Sequence, residues 1–186
     1  MSDFDLAPSP EIPPRPIKGR GAVGNVAHRF SSDQRQVEDD GWTPEQPPDP
    51  RTRLLIYQAK SILSQNDSPD LSFEQSLNPY RGCEHGCIYC YARPTHAWLG
   101  HSPGLDFETL IYAKPDAPRL LREALAQPAY VCRTIVLGTA TDAYQPVERQ
   151  QGLTRRVLEE LLAARHPVAV VTKSSLILRD LDLWAA

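Results

Sequence analysis

From Arg51 onward the chain alternates short apolar runs with amphipathic stretches. "RTRLLIYQAKSIL" (51–63) spaces Leu55, Ala59 and Leu63 at helical intervals and predicts a helix, which "SPD" then breaks. "LSFEQSLN" predicts a short strand ending just before a cysteine-rich loop, and "FETLIYAK" (107–114) predicts another from its aromatic and β-branched residues. Asp116 is placed to cap a helix with Pro118 in its first turn and Leu120, Leu121, Ala124 and Leu125 on one face. "TIVLG" (134–138) predicts a strand that opens into a polar loop. "GLTRRVLEELLAARH" gives the clearest helix, with Leu153, Val157, Leu158, Leu161 and Leu162 opposite its charges. "PVAVVTKSS" (167–175) begins as a fully apolar strand, the pattern of a sheet buried on both faces, and "LRDLDLWAA" starts a further helix.

Strands alternating with helices predict an α/β fold with a parallel sheet, whose functional loops lie at the C-terminal strand ends. The cysteine loop, "GTATDAYQ" and "TKSS" all fall there, so three polar segments are expected to share one rim. The sheet reads as unfinished, with four strands, an open edge and a chain that stops within a helix. Residues 1–50 differ in kind: half of the 18 prolines lie there, and the stretch is read as disordered or loosely draped. Within it, "PIKGRGAVGNVAHRF" (16–30) is read as flexible, because no helix pattern follows to present amides to an anion. Residues 51–186 form the folded unit.

Charge and composition narrow the function classes. A net charge of -3 gives no support for a nucleic-acid partner, and no apolar run is long enough for a membrane span. The acidic N-terminus lacks the apolar core of a secretory signal, so the expected compartment is the cytoplasm, where cysteines stay reduced. There, close-set thiols point to metal or redox chemistry.

"RGCEHGCIYCYARPTH" holds three of the four cysteines, Cys83, Cys87 and Cys90. Three thiolates on one tight loop can hold three irons of a [4Fe–4S] cube and leave the fourth iron open to an exogenous ligand. Gly82 and Gly86 suit a backbone that wraps closely. Structural zinc is the alternative, with His85 or His96 as fourth ligand. Cys132 precedes its strand at the far end of the sheet and is read as a buried, apolar-like residue.

The stretch from Cys83 to Cys90, with Tyr89 before the third cysteine, resembles the signature of radical S-adenosylmethionine (SAM) enzymes. Together with "GTATDAYQPVER" and "VTKSSLILRDLDL" it is similar to the bacterial branch related to spore photoproduct lyase, across residues 16–30 and 51–186. The resemblance implies a partial (β/α) barrel of radical SAM type, incomplete in this chain. It implies a [4Fe–4S] cluster on the three cysteines, with SAM on the fourth iron. Reductive cleavage then yields a 5′-deoxyadenosyl radical that takes hydrogen from substrate, with the electron supplied by a donor such as flavodoxin or ferredoxin. Tyr89 would stack near the adenine and Tyr91 would serve hydrogen transfer. Thr141 and Asp142 match the hydroxyl–aspartate pair that meets SAM, and Lys173 is placed to pair with the SAM carboxylate. Arg93, His96 and His101 are assigned no role.

One departure bears on the reaction. Thr139 stands where the lyase has its hydrogen-donating cysteine, and a threonine O–H is too strong to replace it. DNA as substrate thus rests on family likeness alone. The competing readings are a non-catalytic iron–sulfur or zinc protein and an inactive fragment of the enzyme.

Overall fold

Residues 16–30 and 51–186 are described in a computed structural model, and two sheets organise them. The smaller contains β1 (Arg53–Ile56), β4 (Tyr80–Arg81) and β5 (Leu110–Ala113) in the order β1-β5-β4, with β1 parallel and β4 antiparallel to β5. The larger contains β2 (Leu63–Gln65), β3 (Gln75–Leu77), β6 (Ile135–Leu137) and β7 (Val168–Val170) in the order β2-β3-β6-β7. There β3, β6 and β7 run parallel, and β2 pairs antiparallel with β3. The helices are α1 (Asp106–Thr109), α2 (Ala117–Leu125), α3 (Glu148–Gln151), α4 (Leu153–Ala163) and α5 (Leu181–Trp184). Turns of 3-10 helix cover Arg93–Leu99 and Ser175–Asp180. The architecture is therefore α/β with mixed sheets. Among the described residues no helix is long and apolar enough to cross a membrane.

The core forms where α2 and α4 lay their apolar stripes against the strands. Leu153, Val157, Leu158 and Leu161 repeat at helical spacing and are buried, with Ala117 and Leu121 of α2 beside them. They meet Leu77, Ile135 and Leu137, each fully buried. Truncating such a leucine to alanine costs about 2–5 kcal/mol. Gly152 stands at the N-cap of α4 and offers no side chain, so Glu148 supplies the cap. Its Oε2 accepts from the amides of Leu153 (2.9 Å) and Thr154 (3.0 Å), while Oε1 pairs with Arg179 (2.8 Å).

Several expectations need correction. Residues 51–63 contain strand β1 and the first residue of β2, not a helix. The apolar triplet at 54–56 gains a parallel partner in β5, and that long-range pairing overrides a weak local helical spacing. β5 does not join the parallel sheet. It pairs with β1 and β4, so β6 sits directly beside β3. β7 is an edge strand, with Ala169 exposed and its neighbours half-buried, because only β6 covers it. Asp116 occupies the N-cap of α2 but makes no side-chain capping bond. Residues 1–15 and 31–50 lie outside the described residues, whereas 16–30, expected to be flexible, are docked. Cys132 precedes β6 as expected but is exposed, not buried.

Candidate metal centre

The cysteine loop leaves β4 and wraps in successive tight turns. Cys83 donates its amide to Phe107 O (2.9 Å), and the amides of Gly86, Cys90 and Arg93 return to the carbonyls of Cys83, Cys87 and Cys90. Gly82 opens the loop with φ +79, and a Cβ there would lie 2.9 Å from Phe107 O and 3.0 Å from the His96 ring. Only glycine passes that point unstrained. Because β4 and β5 are antiparallel, the loop sits beside the start of β5, at Phe107 and Glu108, and not beside its C-terminal end.

Glu108 is fully buried and anchors the loop from below. Its carboxylate pairs with Arg93 and accepts from the amides of Gly21 and Ala22, each at 2.9 Å. Arg93 also donates to the carbonyls of Cys87 (2.9 Å) and Gly104 (3.1 Å). Residues 16–30 are held against the loop by these bonds. Gly21 approaches so closely that a Cβ would stand 1.8 Å from Gly86 O. Asn25 bonds Asp106 Oδ1 (2.7 Å), and Val26 exchanges bonds with Ser102 Oγ. Glycine at position 21 permits this contact.

The turns after β6 and β7 close on the loop from the other side. Thr141 is buried and donates its hydroxyl to Gly82 O (2.5 Å) while accepting from Gln145 (3.0 Å). Asp142 joins three segments. Its Oδ1 accepts from Tyr144 N (2.8 Å) and the Thr172 hydroxyl (2.7 Å). Its Oδ2 accepts from Lys173 N (3.0 Å) and lies 3.3 Å from His85 Nε2. Burial raises the Asp142 pKa, but His85, Thr172 and the two amides outweigh it and hold the carboxyl below its usual range. Lys173 brings its ammonium to 3.0 Å from Cys87 Sγ, a contact that raises the lysine's pKa. The structure thus gathers Lys173, Asp142 and Thr141 at the cysteine loop.

Cys83 is buried against Ala92 and Phe107, with Cys90 and Ala140 packed alongside, whereas Cys87 and Cys90 are half-buried. Burial pushes the Cys83 thiol up to about 11, against the pull of the Asp142 and His85 amides. A metal held there must displace that proton, so binding releases protons. Ile88, Tyr89 and Tyr91 stand 75%, 81% and 78% exposed, an apolar fringe on the solvent side of the loop. Tyr91 donates its hydroxyl to Thr139 O, and its pKa is raised by local burial and then by Cys90. Among the described residues no three His, Cys, Asp or Glu side chains are drawn around one point as metal ligands. The loop carries its three thiols on consecutive turns, with the Lys173 ammonium beside Cys87.

The histidines considered as a fourth ligand each face another group through one ring nitrogen. His96 is fully buried, with Nε2 bonded to Leu110 O (3.0 Å), and His85 turns toward Asp142. His101 meets the Tyr112 hydroxyl at 2.5 Å. Arg93 and His96, left without roles, are structural supports of the loop. Sequence reasoning missed Glu108, Glu84, Gln145 and Asn78. Glu84 accepts from Thr52 (2.7 Å) and Val147 N (2.6 Å), and Asn78 bridges to Thr139 Oγ1 (3.0 Å) and Ala140 N (2.9 Å). No sequence pattern marks such isolated polar residues.

An uncharacterized protein of Mycobacterium tuberculosis and one of Mycobacterium bovis are each 42% identical to the chain over 115 residues, covering 62% of it and 34% of the relative. An uncharacterized protein of Methanocaldococcus jannaschii is 32% identical over 134 residues, covering 72% of the chain and 48% of the relative. The chain thus spans about a third to a half of the length of the curated relatives it matches. No known family profile matches it. No solved structure matches it significantly.

Proposed function

We propose that the chain carries the cluster-binding part of a radical SAM enzyme, built on a partial (β/α) barrel of that type and related to spore photoproduct lyase. One observation supports the reading above others: the three-cysteine loop and the turns after β6 and β7 meet, with Lys173 Nζ 3.0 Å from Cys87 Sγ. Cys83, Cys87 and Cys90 would hold three irons of a [4Fe–4S] cluster. With SAM on the fourth iron, such a cluster supplies one-electron cleavage of a sulfonium and a carbon radical that removes hydrogen from substrate.

The remaining roles belong to the chain. Lys173 places a positive charge where an anionic cluster or a carboxylate needs one. Tyr89 offers an open ring face to a planar base. Thr141 and Asp142 act as positioning residues, since their oxygens already hold Gly82, Tyr144, Thr172 and Lys173 in place. Tyr91 carries its O–H at the Thr139 carbonyl, beside the loop, for hydrogen exchange with substrate. His96 is fully buried with its Nε2 spent on Leu110 O, which favours three protein ligands over a zinc site completed by His96. The electron comes from a small carrier of the flavodoxin or ferredoxin type in the cytoplasm.

The test is anaerobic reconstitution with iron and sulfide, then incubation with SAM and dithionite. The expected products are 5′-deoxyadenosine and methionine, lost in Cys87→Ala. Failure of both this chain and a version extended to its relatives' length to release them, once loaded with iron, defeats the reading.

A further inference from the structure

A cavity of about 330 Å³ opens beside the smaller sheet, away from the cysteine loop. Its size falls within the ~300–1,000 Å³ typical of small-molecule sites. Tyr57 follows the C-terminal end of β1 and Lys114 follows that of β5, and these two strands are parallel, so both residues reach the same sheet edge. Ligands of parallel strands bind beyond that edge. Arg81 of β4 completes the wall, with Lys60, Ser61 and Ser64 from the β1–β2 connection.

The wall holds three cations and no carboxylate, in a chain whose net charge is -3. Lys114 is nine-tenths buried and spends one of its three donors on Asn78 O (2.8 Å). Arg81 rests its guanidinium over the Tyr57 ring at 4.6 Å, and among the described residues it has no hydrogen bond or ion pair. That stacking holds the planar fork in a fixed orientation with its N–H donors unspent. Burial, then the Arg81 charge, lowers the Lys114 pKa to about 8, the mark of a positive site lacking its counter-charge.

We propose that this cavity binds a phosphate dianion, free or as the terminal phosphate of a monoester, between Lys114, Arg81 and Lys60. An arginine fork and lysine point charges suit three phosphoryl oxygens, and the Ser61 and Ser64 hydroxyls add neutral donors. Three positive charges suit a dianion better than the single charge of a phosphodiester. The site is independent of the cluster reading, and its test needs no iron.

Calorimetric titration of the full chain at low ionic strength and neutral pH, with inorganic phosphate, adenosine monophosphate and a short single-stranded DNA, tests it. Phosphate, the monophosphate or both should bind saturably at one site. Arg81→Gln and Lys60→Gln should each weaken binding about tenfold or more, as expected for one lost charge-assisted bond. These two variants keep the test valid should Lys114→Gln fail to fold. Binding of DNA alone, equal affinity in the Arg81 variant, or no saturable binding of either phosphate overturns the proposal.

Discussion

Asp142→Asn is nearly isosteric and isolates the bonding that ties the β6 and β7 turns to the cysteine loop. The carboxylate serves the amides of Tyr144 and Lys173, the Thr172 hydroxyl and the facing His85, with its side chain only 10% exposed. Asparagine keeps one acceptor oxygen. Turned one way its NH₂ opposes Lys173 N–H; turned the other it opposes Tyr144 N–H. The Thr172 hydroxyl can rotate to accept, but one backbone donor is orphaned in either orientation, and the surviving bonds lose charge assistance. One charge-assisted bond is worth about 1.5–3 kcal/mol and an orphaned buried donor costs about 1–3 kcal/mol; the two overlap, since the orphaned donor is the one whose bond is lost, so the loss is about 3 kcal/mol. For a chain of this size that is a fall in Tm of roughly 6–12 °C.

The sign of the pH dependence follows from the depressed carboxyl pKa. The stabilisation is fully present above the unfolded value of 3.8 and is lost as pH falls through the lower folded value. Chemical denaturation of both proteins between acid and neutral pH should show a gap that closes at the acid end. Hydrogen exchange should lose protection at Tyr144 or Lys173. A stability difference below about 0.5 kcal/mol, the level of an ordinary surface substitution, refutes the reasoning.

Other expectations follow from the same contacts. His96 is buried neutral with a pKa lowered to about 4 by burial and then by His101, and its Nδ1 has no partner among the described residues. Stability should therefore drop by about 3 kcal/mol as pH falls from 6.5 to 4, and His96→Phe should remove that slope in denaturation curves. Glu108→Gln leaves the Arg93 guanidinium in a buried site without its counter-charge, at a cost of about 3–5 kcal/mol. Limited trypsin digestion should then cut faster at Arg20, because Gly21 and Ala22 lose their carboxylate acceptor. Lys173→Met should keep iron content while weakening SAM binding about tenfold, read by equilibrium dialysis, as for one charge-assisted contact.

What could be read from sequence divides by the range of the interactions responsible. α2, α4 and β6 announce themselves locally, through apolar periodicity that the core then uses. The convergence of the 138–142 and 171–173 segments followed from one rule, that parallel strands direct their following loops to a common edge. β1 was hidden because its partner lies across the cysteine loop in sequence, and a strand's stability resides in that partner. The docking of residues 16–30 was hidden for a related reason. Its binding force lies in Glu108, whose burial is created only when α1, the loop and the glycine-rich segment meet. Resemblance singled out Thr141 and Asp142 for a cofactor, whereas in the fold their oxygens bond Gly82 and Lys173 of the chain itself.

The proposition on which the account rests is that Cys83, Cys87 and Cys90 hold a cluster with one iron left open. Electron paramagnetic resonance of the anaerobically reconstituted, dithionite-reduced protein, before and after SAM, tests it most directly. The account predicts a [4Fe–4S] signal that changes shape when SAM is added, is absent from Cys87→Ala and is retained in Cys132→Ala. A spectrum indifferent to SAM, or loss of the signal in Cys132→Ala, contradicts it.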